Sequence, residues 1–336
     1  MSSAQIPTAP RSAADAAVRA VRAASLACRA VRAAADPGKL DKADKSPVTV
    51  ADFAAQALAC RVLQQAFPDD PVIGEEDAAE LRAGPQAAFA AQVTAAVNDA
   101  GAASGMPAAT DDEVFAWIDR GGAQESSGRF WTIDPIDGTK GFLRGGQYAV
   151  SLALIEGGEL TVGVLGCPNL MHDGGPGALF TAVRGAGATV RNLWRGEDET
   201  PLTINTSRTS GGAAARVCES VESAHTSHGA AAEIAAALGV KTEPLRLDSQ
   251  AKYAEVARGG ADIYLRLPTR KDYVERIWDH AAGVLVVREA GGRVTDVDGK
   301  DLDFTRGRGL DGNRGAVATN GPLHESVLDA VAAAGV

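Results

Sequence analysis

The stretch Trp131-Thr132-Ile133-Asp134-Pro135-Ile136-Asp137-Gly138-Thr139-Lys140-Gly141-Phe142 constrains this chain more than any other. An apolar strand ends in Asp134. Pro135 has no N–H to give to a ladder, so the sequence predicts a turn directly after the strand. Asp137 follows three residues after Asp134, where the two carboxylates can converge. Gly138 permits a close backbone approach, and the N–H groups of Gly138 and Thr139 open a helix, a place that accepts phosphate oxygens. Two carboxylates at a strand end suit a hard cation, and an oxygen-only donor set selects Mg2+ over zinc. The plain alternative is a turn with solvated acids, because turns favour the same residues.

Three more segments bear on that choice. Ile277-Trp278-Asp279-His280-Ala281-Ala282-Gly283 starts a helix that ends at Ala290-Gly291-Gly292. Asp279 either caps it or points a third carboxylate into a metal site. Gly74-Glu75-Glu76 follows the short strand Val72-Ile73-Gly74 and brings two further acids. Paired glutamates are usually solvated charge, but here the strand before them fixes their position. Asp52 stands at the start of a helix, an ordinary place for an acid. Paired with the Thr139 hydroxyl, it can help take a proton from water.

Charge narrows the classes. Across 336 residues, 33 Lys and Arg face 43 Asp and Glu, a formal net charge of −10. That excludes a generic nucleic-acid binder, which would show a basic face. An anionic substrate then needs a cation between itself and the protein. No apolar run approaches the roughly 18 residues of a membrane span. Cys28, Cys60, Cys167 and Cys218 form no C-x-x-C pair and read as reduced intracellular thiols. The Arg-rich first 35 residues read as an amphipathic helix of the fold, with any transit peptide confined to the first ten residues or already removed. Ser249-Gln250-Ala251-Lys252 fits S-x-x-K without its companion motifs, and Gly307 to Gly312 fits G-x-G-x-x-G without a strand before it, so neither carries weight.

The predicted order begins with a helix over 12–35, a loop at 39–46, a helix up to Pro68 and a helical surface excursion at 77–112. Short strands follow at 114–119 and 130–133, then a hairpin of 149–155 with 160–165, a loop at 168–177 and a strand near 179–183. The polar stretch 191–203 sets a boundary between an N-terminal α+β domain, 1–203, with most metal ligands, and a C-terminal α/β domain, 204–336. The second part alternates helices at 228–238, 250–258, 278–290 and 323–334 with strands at 244–247, 261–265 and 316–319. This alternation predicts sheets layered with helices.

In order and spacing, these segments resemble the lithium-sensitive, inositol-monophosphatase-like phosphatases. Asp134 to Phe142 is similar to their first signature and Trp278 to Gly292 to their second. Ser46 to Gln56, Gly138 to Gly145, Cys167 to Leu170, Leu247 to Tyr253 and Tyr264 to Pro268 resemble the 3′(2′),5′-bisphosphate nucleotidase branch. That branch removes the 3′-phosphate of adenosine 3′,5′-bisphosphate (PAP), giving AMP and phosphate, and many members also hydrolyse the sulfate donor PAPS. The resemblance implies an α/β (α+β) fold, a layered α-β-α-β-α sandwich of the inositol-monophosphatase/fructose-1,6-bisphosphatase-like type.

It also implies two or three Mg2+ ions held by Glu75, Asp134, Asp137, Asp279 and the carbonyl of Ile136, with inhibition by Li+. Asp52 and Thr139 become the pair that activates water. Gly138, Thr139, His225, Ser249, Lys252, Arg266 and Asp279 become substrate contacts, and Glu76 stands behind the metal ligands. The implied partners are PAP and PAPS, with no nucleic acid and no membrane. A monomer is preferred, in the cytoplasm, or in the chloroplast or mitochondrion if a transit peptide was removed. Two alternatives stand beside this reading: an inositol polyphosphate 1-phosphatase, and a catalytically inactive PAP-binding sensor.

Overall fold

The computed structural model describes residues 13–33, 39–41, 47–82, 86–124, 128–196, 199–221, 228–268, 270 and 273–336. Five layers stack in the order α-β-α-β-α. The first holds α1 (Ala13–Ala33), α2 (Val50–Ala66), α3 (Ala87–Ala103) and α4 (Asp111–Asp119). The second is a seven-stranded sheet of β3 (Val72–Gly74), β4 (Arg129–Asp137), β5 (Ala149–Glu156), β6 (Glu159–His172), β7 (Gly175–Val183), β8 (Gly187–Asn192) and β9 (Leu202–Ile204), in that order. The middle layer is α7 (Ala251–Ala257) with α8 (Ala281–Glu289).

The fourth layer is a five-stranded sheet of β10 (Val217–Glu219), β11 (Leu245–Arg246), β12 (Ile263–Arg266), β13 (Arg293–Thr295) and β14 (Ala316–Thr319). Its order is β11-β10-β12-β14-β13. The helices α6 (His228–Ala237) and α9 (His324–Ala333) close the stack. Among the described residues no helix is long and apolar enough to cross a membrane.

Strand alternation builds two of the three cores. Val150, Leu152 and Leu154 of β5 face the first helical layer, whereas Ala149, Ala153 and Ile155 face the middle one. Both faces of the large sheet are therefore buried, and its strands read as continuous apolar runs. Gly283 lets α8 lie directly on α7: a Cβ there would fall 2.4 Å from Tyr253 Cδ2. The third core lies between the small sheet and α6 and α9, around Ile234, Val317 and Val327. All four cysteines are buried and unpaired. Burial pushes the Cys60 and Cys218 thiols up to about 12, so they stay protonated.

Four local expectations are corrected. Residues 114–119 are not a strand but the greater part of α4. Thr110 caps that helix by accepting from Glu113 N, while Glu113 Oε2 accepts from Thr110 N at 2.9 Å, and Val114, Phe115 and Ile118 share the buried face. The loop expected at 168–177 is mostly strand, since β6 runs to His172 and β7 starts at Gly175. Asp173 and Gly174 between them have φ of 48° and 77°, the two left-handed residues of a tight hairpin turn. Within the loop expected at 39–46, β1 (Lys39–Asp41) pairs with β2 (Pro47–Thr49). The stretch 77–112 is no mere surface excursion, because α3 buries Val93 and Val97 completely in the first core.

One buried titratable group starts the helix α9 of the outermost layer. His324 is enclosed by the Thr295 and Thr319 hydroxyls, 3.1 and 3.0 Å from its ring nitrogens. Burial, helped by Arg293, pulls its pKa down to about 4. The unfolded chain binds the extra proton below about pH 6.5, and the folded chain only near the lower value. This stabilising contribution is therefore complete above about pH 6.5 and lost as the pH falls toward that lower value. Thermal unfolding is expected to show this acid-side decline and His324→Gln to flatten it; the same pH profile in both proteins would contradict the assignment.

Candidate active site

The carboxylates of β4 come together through a bulge rather than a turn. Asp134 pairs with Ser151 and Asp137 with Ala149, so three steps along β4 match two along β5. Pro135 sits in the irregular stretch, where its missing N–H leaves no gap in the ladder. The extra residue resets the alternation. Ile133 and Ile136, three apart, both enter the first core. Asp134 and Asp137, also three apart, consequently share the opposite face, toward α7 and α8. The strand thus continues past Asp134, contrary to the expected turn. At its end Gly138 takes φ of 88° and α5 (Thr139–Arg144) begins.

The remaining acids arrive from other layers. Glu75 follows β3, which runs parallel to β4. Its segment is held by the buried Gln56, whose Nε2 donates to Glu76 O at 2.6 Å and whose Oε1 accepts from Glu76 N at 3.0 Å. Glu76 itself is buried and is not among the residues that line the cavity described below. Asp279 lies in a 3-10 turn, Ile277–Asp279, before α8, and His280 rather than Asp279 occupies the cap position. Of the two readings of Asp279, the cap is therefore excluded. Its Oδ2 accepts from Arg266 Nη2 at 3.4 Å.

Asp52 combines both readings of its position. Oδ2 accepts from Thr49 N at 2.8 Å and Thr49 Oγ1 at 2.6 Å, closing a capping box on α2. Oδ1 accepts from Thr139 Oγ1 at 3.4 Å, a long bond, and the same hydroxyl lies 3.3 Å from Ile136 O. One oxygen is structural and the other faces Thr139.

A cavity of about 180 Å³ gathers these groups. Glu75, Asp134, Ile136, Asp137 and Asp279 line it, together with Gly138, Thr139, Asp248, Ser249, Lys252, Arg266 and Tyr273. Asp134 is 2% exposed, and its Oδ1 is enclosed with no hydrogen-bond partner among the described residues. Burial, then the charges of Glu75, Asp137, Asp279 and Asp52, push its carboxyl well above the usual range. Burial also raises Asp137, against the pull of Lys252 and Arg266. It raises Asp279 as well, where Arg266 opposes it and Asp137 adds to it.

Among the described residues no three His, Cys, Asp or Glu side chains are already drawn together as a ready metal cage. The acids instead share a wall and one another's field. An oxygen-only set with an enclosed, unpartnered carboxylate oxygen fits a hard divalent cation.

The cationic groups of the same cavity are fixed by their own partners. Lys252 Nζ donates to Leu247 O at 3.1 Å and Ser249 O at 2.8 Å. Burial lowers its pKa, and Asp137 works against that. Ser249 has φ of 69°, and its Oγ accepts from Ala251 N at 3.2 Å. Arg266 grips Glu275 through Nη2 at 2.7 Å and Nε at 3.0 Å. Glu275 in turn lies 3.3 Å from His280 Nε2, and His280 Nδ1 is 2.7 Å from Tyr253 Oη. This enclosed chain from Tyr253 to Arg266 aims one guanidinium at the cavity. His225 lies outside the described residues.

Sequence reasoning overlooked Gln56, Gln250, Glu275, His280 and Tyr273. Gln56, Gln250 and His280 lay in quoted runs without being singled out, and Glu275 and Tyr273 lay in none.

Residues 10–334 match the inositol monophosphatase family. A 3′(2′),5′-bisphosphate nucleotidase of Emericella nidulans is 44% identical over 318 residues, 88% of this chain and 90% of the relative. The enzyme of that name from Oryza sativa is 44% identical over 311 residues, 88% of this chain and 86% of the relative. Among solved structures, a Thermotoga maritima IMPase superposes with a TM-score of 0.64 at 22% identity, covering 95% of this chain and 96% of that one. CysQ of Bacteroides thetaiotaomicron gives 0.57 at 20% identity, over 91% and 96% of the two chains. At such identities the solved structures bear on the fold alone.

Proposed function

The chain belongs to the inositol monophosphatase family, and from that premise we propose that it is a 3′(2′),5′-bisphosphate nucleotidase. It adds water to PAP, releasing the 3′-phosphate and AMP, and accepts PAPS as well. The observation that carries this reading is a single cavity lined both by the carboxylates Glu75, Asp134, Asp137 and Asp279 and by Lys252 and Arg266. A bisphosphate has two anionic groups. One needs a cation before it can approach Glu75, Asp134, Asp137 and Asp279, and the other can face Lys252 and Arg266 directly.

Glu75, Asp134, Asp137, Asp279 and the carbonyl of Ile136 would hold two or three Mg2+ ions, which supply charge neutralisation and Lewis acidity. The protein's own groups do the rest. Thr139 Oγ1, bonded to Asp52 Oδ1, receives the proton of the attacking water as its own proton moves toward the carboxylate. Arg266, clamped by Glu275, presents a fork in fixed orientation. Gly138 and Ser249, with their left-handed backbones, turn the chain at the cavity edge.

A phosphate-release panel over PAP, PAPS and inositol 1,4-bisphosphate, each with and without Li+, tests the reading. PAP is expected to turn over fastest, with Mg2+ dependence and inhibition by Li+. Faster release from the inositol phosphate, or binding of PAP without release, would overturn it.

A further inference from the structure

The acids of the cavity come from residues 134 and 137 in the large sheet and residue 279 beside the middle layer, so something must hold them in register. Gln250 precedes α7 and is 2% exposed. Its backbone N–H donates to Asp137 Oδ2 at 2.6 Å. Its side-chain Nε2 donates to the carbonyl of Trp278 at 2.9 Å, one residue before Asp279. Its Oε1 accepts from Gly283 N at 3.1 Å, in the first turn of α8 just beyond Asp279. One residue is thus bonded to Asp137 and to the chain on both sides of Asp279. The Trp278 carbonyl takes a second bond, from Ser151 Oγ at 3.3 Å, and Ser151 is the register partner of Asp134.

We infer that Gln250, seconded by Ser151, is a positioning residue that sets Asp279 against the Asp134–Asp137 pair and so governs how tightly the cavity takes a divalent cation. The inference rests on the metal-dependent reading above. The side-chain amide supplies the donor and the acceptor together: ionised glutamate lacks the donor, and methionine has no donor and only a weak acceptor. Groups that orient metal ligands in this way carry a measurable share of metal affinity.

Calorimetric titration of the metal-free protein with Mg2+, for wild type, Gln250→Met and Ser151→Ala, tests it. Melting temperature in chelator, and kcat and KM for PAP at saturating Mg2+, are measured alongside. Gln250→Met is expected to weaken Mg2+ binding about tenfold or more and Ser151→Ala about threefold, with KM for PAP held within about twofold. A folded Gln250→Met protein with Mg2+ affinity within about twofold of wild type would overturn the inference, whatever its melting temperature. If Gln250→Met does not fold, Ser151→Ala decides, and unchanged Mg2+ affinity there overturns it. A wild-type protein that takes up no Mg2+ brings down the metal reading itself, and the inference with it.

Discussion

Asp134→Asn is expected to slow phosphate release from PAP about a thousandfold or more while the protein stays folded; such a loss corresponds to about 4 kcal/mol of transition-state stabilisation. The cause is the place of Asp134 among the acids. It is enclosed, one of its oxygens has no hydrogen-bond partner among the described residues, and four other carboxylates, Glu75, Asp137, Asp248 and Asp279, line the same cavity. As a structural group it is a liability, because burial and then its neighbours' charges push its carboxyl well up.

An acid raised in this way is most stabilising when protonated. Its contribution is complete below the unfolded value of about 3.9 and lost as the pH rises through the folded value. At neutral pH the amide removes that penalty. The variant's melting temperature in chelator is therefore expected to equal or exceed that of wild type, as in other sites where stability is given up for function. Circular dichroism and a phosphate assay on the same samples check both halves. Activity and melting temperature falling together would show Asp134 to be structural, and full activity would remove it from the site. Asp137→Asn is expected to lose activity similarly and to stay folded, since its amide oxygen can still accept from Gln250 N.

Arg266→Met carries the largest expected effect on stability, about 3–5 kcal/mol. Arg266 is the cation between the enclosed Glu275 and the half-buried Asp279. Burial works against its charge, but Glu275, Tyr264 and Asp279 together outweigh it, so its pKa is raised further. Burial alone would raise Glu275, yet Arg266, with His280, holds it well below the usual carboxylate range. Methionine fills much of the volume but leaves both acids facing each other.

A depressed acid stabilises above its unfolded value, about pH 4.3, and that contribution is lost as the pH falls below it. The gap in melting temperature between wild type and Arg266→Met is accordingly expected to be widest near neutrality and to narrow in acid. Arg266→Lys keeps the charge without the two-pronged grip and should fall between them. Scanning thermal unfolding against pH checks the order. A melting temperature unchanged by the methionine would show that the pair with Glu275 contributes nothing.

Residue type and order made the acids legible, whereas their geometry depended on partners distant in sequence. Asp134 and Asp137 were conspicuous as two carboxylates around a proline, but only the pairing with β5 shows that the extra residue turns both to one face. Asp279 could equally have been a cap; the 3-10 turn before α8 decides against that. Thr110 and Glu113 carried the spacing of a helix start, and the apolar run from Val114 to Ile118 masked it as a strand. Asp173-Gly174 likewise carried the hairpin signal that the apparent loop concealed. Gln250, Glu275 and His280 were not legible at all. Their residue types are common, and their function arises from bonds to chain 28, 9 and 5 residues away in sequence.

The most direct test is Mg2+ titration of metal-free protein during PAP hydrolysis. No phosphate release in chelator, with activity restored in step with Mg2+ uptake, is the result expected from a carboxylate wall that works only with a cation against it. Undiminished turnover of PAP in excess chelator would contradict it.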